Sequence, residues 1–158
     1  MPKTGDITDI TLNRWRLPLL SALLSLVVIA AMGLLLRWTF VQAVPGLNYK
    51  FLLHAHSHAA LLGWLYPAVV ISLLHAYLPP EVRNRKVYFR QFWLSQGAVL
   101  GMLLSFPVQG YGAVSITFST AHILLSYWFI VRFRKDAKAA RAGEGKHQLS
   151  FRFVQAAL

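Results

Sequence analysis

Three histidines at alternate positions, His54, His56 and His58, stand inside a stretch apolar enough to cross a bilayer, and Gly63 and Trp64 follow them. An ionisable side chain within a hydrocarbon-spanning helix is costly, and it points to a ligand, a proton path or a partner on another helix. At about 100° per residue, His54 and His58 share one face of a helix while His56 projects from nearly the opposite side. The first pair has the i, i+4 spacing with which two imidazoles on one helix chelate a small ion such as zinc. The pair His56 and His58 does not close on one metal without unwinding the helix, but it offers one ligand to each of two flanking cofactors.

Composition limits the chemistry further. The 158-residue chain is 56% hydrophobic and has no cysteine, which departs from soluble domains in the direction of membrane proteins. Without cysteine there are no disulfides, no thiolate-ligated haem, no c-type haem attachment and no cysteine-ligated iron-sulfur or zinc site, so any metal must rest on histidine. A formal net charge of +11 suits nucleic acid in general, yet the positions of the cations account for it by topology, and no nucleic-acid partner is expected.

The elements that must carry these histidines are membrane spans. Hydropathy and length predict an all-α, polytopic bundle with spans at about 17 to 36, 51 to 78, 91 to 106 and 113 to 131, in contact with membrane lipid. Pro18 is expected at a helix start, and Trp15, Trp38 and Phe40 as interfacial anchors. Pro45 and Gly46 mark a turn before the second span, and Pro79 and Pro80 end it. Pro67, inside that span, should free the carbonyl of Gly63 and kink the helix just past the histidines. Gly97 and Gly101 give the third span a small-residue face, expected to let another helix approach closely. Residues 132 to 149 read as a solvated basic tail, and 150 to 158 as the opening of a fifth span, as though the chain were the front part of a larger bundle with further helices or subunits as partners.

All lysines and arginines except Arg37 and Lys50 fall before the first span, between the second and third, or after the fourth. The positive-inside rule then places the N-terminus inside, in a cytoplasmic membrane. At about 1.5 Å per residue, His58 lies roughly 11 Å below the start of the second span and His122 roughly 14 Å below the start of the fourth. Two imidazoles at one level on neighbouring helices are what the two axial positions of a haem iron require. Arg37 and Lys50, at the outer interface, are placed to receive the propionates of a haem held by His58. His75 and His147 read as interfacial or solvated. No aspartate or glutamate lies in any predicted span, which disfavours carboxylate acid-base chemistry there.

The stretch His56, Ser57, His58, Ala59, Ala60, Leu61, Leu62, Gly63, Trp64 resembles, without gaps, the His-x-His-x-x-x-x-Gly-Trp pattern in subunit I of the haem-copper oxidases, especially the b-haem oxidases and the bacterial nitric oxide reductases. In that family the paired histidines ligate two haems on opposite sides of one helix. The resemblance implies that His56 is similar to the high-spin haem ligand and His58 to the low-spin ligand, with His122 a candidate for the latter's opposite axial position. More loosely, residues 47 to 58 and 105 to 115 look like the N-terminal part of multi-span bacterial relatives of that subunit. The family's catalytic subunit has many more spans, and its histidine helix comes late rather than second. No adjacent histidine pair for copper or non-haem iron is present, so reduction of oxygen or nitric oxide by this chain alone is not expected.

The sequence therefore predicts a bacterial inner-membrane protein binding haem b through His56, His58 and His122, as an oxidoreductase component in electron transfer or diatomic-gas (oxygen or nitric oxide) chemistry. Two alternatives stay open. One is a zinc or copper transport or sensing protein built on His54, His56, His58 and His122, and the other is a cofactor-free structural membrane protein.

Overall fold

The computed structural model describes the backbone of residues 4 to 141 and the side chains of 14 to 140. The distal part of the expected basic tail, His147 and the expected start of a fifth span lie outside the described residues. Helix α1 spans Thr4–Trp38. A long rod follows, made of α2 (Tyr49–His58), a π-helical segment (Ala59–Leu65) and α3 (Tyr66–Tyr77). A single turn, α4 (Pro80–Arg83), leads into α5 (Lys86–Gln109) and then α6 (Ala113–Arg141). Every described element is helical.

Local chemistry explains the boundaries. Asn48 caps α2: its backbone is extended and its side chain accepts the Phe51 N–H at 3.2 Å, satisfying one of the unpaired donors of a helix start. Leu78, before Pro79, is forced into extended backbone and ends α3. Gly110 closes α5 with φ +59°, a left-handed conformation, and a Cβ there would stand 2.4 Å from the Phe51 ring, so only glycine fits.

The kink expected at Pro67 takes the form of the π segment. Pro67 has no N–H to return to Gly63, and the backbone ahead of it widens so that the Tyr66 N–H reaches Leu61 O, one residue further back than in an α-helix. This segment is where the rod meets both neighbours. A Cβ on Gly63 would lie 3.0 Å from Val99 of α5 and 3.5 Å from Ser25 of α1.

Three helical stretches are long and apolar enough to cross a membrane: Arg14–Trp38, Tyr49–Tyr77 and Ala113–Ala140. The fourth expected span falls within α5, which begins with Lys86, Arg90 and Gln91 and is not among the three. Helix α5 is flanked by α2 and α6. The two glycines of its predicted packing face behave differently. A Cβ on Gly101 would meet the Phe118 ring of α6 at 2.5 Å, whereas Gly97 faces open space in a groove between α1 and α5.

Two helices outrun their expected spans. Pro18 lies inside α1 rather than at its start. Helix α6 runs ten residues past 131, because Phe129, Phe133 and Ala137 continue a buried stripe at i, i+4 spacing against α3 and α5. At that end Trp15 Nε1 donates to Asn84 Oδ1 at 3.0 Å and Arg85 pairs with Asp136 at 3.5 Å. The part of α1 around Trp15, the α4–α5 corner and the end of α6 thus meet in one cation-rich layer, opposite Arg37 and Lys50.

Candidate functional site

The histidines of the rod divide between its two sides. The ring of His54 sits 4.6 Å from that of Tyr111 and 6.2 Å from that of Phe106, and His58 sits 4.5 Å from Phe106 and 6.1 Å from Tyr111. Both therefore face the C-terminal end of α5 and the turn beyond it. His58 Nδ1 lies 2.9 Å from His54 O. A carbonyl oxygen only accepts, so Nδ1 carries the proton and Nε2 keeps a lone pair, the form in which imidazole serves as a ligand.

His56 projects the other way, onto α1. A Cβ on Gly33 would stand 3.2 Å from His56 Cε1, so glycine is what admits the ring, and His56 Nδ1 is buried without a hydrogen-bond partner. The ring borders an open groove of about 400 Å³ lined by Gly33, Leu36, Arg37, Phe40, Tyr49 and Leu53. Arg37 thus accompanies His56, whereas the sequence had led one to expect it to serve a haem held by His58. Lys50 is exposed at the same end and is not among the groove residues.

His122 is buried in the interior, 2% exposed. Its ring packs edge-on against Tyr66 at 4.9 Å. The Ser126 hydroxyl donates to His122 O at 2.9 Å and lies 3.3 Å from Nδ1, so at that contact the imidazole is the donor. That leaves Nε2 as an acceptor, buried and without a partner. Among the described residues no hydrogen bond or ring contact joins His58 to His122. Their aromatic neighbours differ, and a cluster of Val99, Met102 and Phe106, with Leu62 and Phe118 against it, fills the interior beside the π segment. Phe106, fully buried, packs tilted against the His58 ring at 4.5 Å.

Comparison of the chain with protein-family models, curated proteins and solved structures finds no match. The geometry stands alone.

Among the described residues no three histidine, aspartate or glutamate side chains converge as a metal-binding group. His75 is exposed near the cation-rich end, with Nδ1 donating to Ile71 O at 2.9 Å and its ring 5.7 Å from that of Trp15. Sequence reading passed over a buried polar group around His122. Gln91 and Ser95 of α5 are 3% and 4% exposed, and the Tyr66 hydroxyl interacts with Ser95 and Ser126. The available signal was the i, i+4 spacing of Gln91 and Ser95 in an otherwise apolar helix.

Proposed function

We propose that the chain is a four-span membrane protein, with its N-terminus on the cytoplasmic side of a bacterial inner membrane. It binds b-type haem in the groove between α1 and α2. Its role is electron transfer or diatomic-gas chemistry, as a relative of haem-copper oxidase subunit I. The observation that carries this reading is His56: an imidazole seated over Gly33 with a buried, unpartnered nitrogen, on a groove that also contains Arg37. A buried polar atom left unpaired costs about 1–3 kcal/mol; since Nδ1 is closed off, a ligand in the groove would be met by the other ring nitrogen, Nε2.

The residues fit the group. His56 would supply the axial imidazole and Arg37 a charge-assisted partner for a propionate. Bound haem contributes one-electron chemistry and a position for a diatomic gas. The protein's part is to hold the ring in place with Gly33 and to present the cation at the interface. His58 and His122 are not needed as a facing pair in this arrangement.

Burial of Gln91 and Ser95 supports the fourth span, since polar side chains turned into a bundle are tolerated within a membrane. The cation-rich end supports the orientation. The test is an optical spectrum of the membrane-extracted protein. A Soret band and a b-type band on reduction, with carbon monoxide uptake, are expected. A colourless protein overturns the reading.

A second reading rests on His54 and His58, whose rings both approach Tyr111. Two imidazoles at i, i+4 spacing and a phenol can hold zinc or copper. It predicts a protein without haem bands whose bound metal is lost in His54→Ala.

A further inference from the structure

The interior of the α3, α5 and α6 layer holds a small, partly enclosed cavity with room for about one water, lined by Tyr66, Tyr88, Gln91, Ser95 and Gln96 among apolar neighbours. Gln91 borders it, and both its Oε1 and its Nε2 are buried without a partner. A buried amide whose oxygen and nitrogen both lack partners incurs the desolvation cost of each. A cavity of about 10 to 15 Å³ holds a water when two to four polar groups surround it, and this one offers two amides, two phenols and a serine.

Polar groups continue from the cavity in both directions. Toward the cation-rich end, the Tyr88 hydroxyl donates to Asp136 Oδ2 at 2.9 Å, and Asp136 is held by Arg132 at 2.9 Å and Arg85 at 3.5 Å. Toward the middle of the bundle, the Tyr66 hydroxyl interacts with Ser95 and Ser126, and Ser126 Oγ contacts His122 Nδ1. The cavity is the gap between these two halves.

We propose that the cavity binds a water molecule, which joins Gln91, Tyr66 and Ser95 into a hydrogen-bonded seam between His122 and Asp136. Along this seam the Nδ1 proton of His122 exchanges with solvent. Each hydroxyl or water in the seam accepts one proton as it gives up another, so protons move and no group changes composition. The groups bordering His122 from its neighbours are the Tyr66 ring on α3 and, through the Tyr66 hydroxyl, Ser95 on α5. The inference does not depend on haem.

The test uses the full chain in lipid nanodiscs, with NMR detection of water contacts at the Gln91 side-chain amide and of deuterium exchange at the His122 imidazole. Water contacts are expected in the wild type. Exchange is expected to slow about ten-fold in Gln91→Leu and Ser95→Val, as when one bridging contact is lost, and to be unchanged in Thr117→Val, which is exposed. Thermal unfolding provides a second measure: a hydrated amide makes Gln91→Leu less stable, whereas a dry, unpaired one makes it more stable. Absence of water contacts, a stabilised Gln91→Leu, or equal exchange rates in all variants overturns the proposal. If Gln91→Leu does not fold, Ser95→Val carries the exchange test.

Discussion

The imidazole of His56 lies on Gly33, and a single added methyl group on that glycine would stand 3.2 Å from Cε1. Two helices approach at this point because one of them lacks a side chain. The contact fixes the ring beside the groove that contains Arg37.

Enlarging residue 33 should therefore disturb the proposed haem site before it disturbs the fold. Gly33→Ala is expected to lower the haem content of purified protein, and Gly33→Val to lower it further. Helical circular dichroism should stay at the wild-type value in both.

The α5 glycines make a paired test of packing. Gly101→Ala places a methyl 2.5 Å from the Phe118 ring, while Gly97→Ala meets open space. The first should cost about 1–3 kcal/mol in unfolding free energy, as overpacked sites do. The second should be neutral or gain up to about 1 kcal/mol, from the better helix propensity of alanine. Denaturation of the two variants in the same detergent separates these outcomes.

Burial, and next the hydrogen bond to the Asp136 carboxylate, push the Tyr88 hydroxyl above the ordinary tyrosine value near 10. The folded state thus keeps the proton to higher pH than the unfolded chain does. That contribution to stability is fully present below pH 10 and is lost as pH rises from there through the folded-state value. Tyr88→Phe should be less stable at neutral pH, and the gap to wild type should narrow under strongly alkaline conditions. A thermal-unfolding series in pH checks both signs.

The division of the histidine helix was legible from rotation alone. About 100° per residue puts 54 and 58 on one side and 56 on the other, and the rings lie against Phe106 and Tyr111 on one side and Gly33 on the other. Depth was not legible. Counting from guessed span ends placed His58 and His122 at one level, but the actual level depends on which residues of facing helices touch. The close approaches at Gly63 and Val99 and at Gly101 and Phe118 set that level, and they are long-range facts. They place His122 beside Tyr66, two turns further along the rod than His58.

The end of α6 was misjudged for a different reason. Arg132, Arg134, Lys135 and Lys138 read as a solvated tail, and their charge concealed the stripe of Phe129, Phe133 and Ala137 that keeps the helix going. Asp136 lies between those cations and faces inward to Tyr88. Two of its partners, Arg85 and Tyr88, lie at the start of α5, more than forty residues earlier in the chain.

The most direct measurement is the reduced-minus-oxidised optical spectrum of the membrane-extracted protein, recorded for the wild type beside His56→Ala and His122→Ala. Haem b held by His56 should give b-type bands in the wild type that vanish in His56→Ala and persist in His122→Ala. A wild type without such bands, or bands that survive the loss of His56, would contradict it.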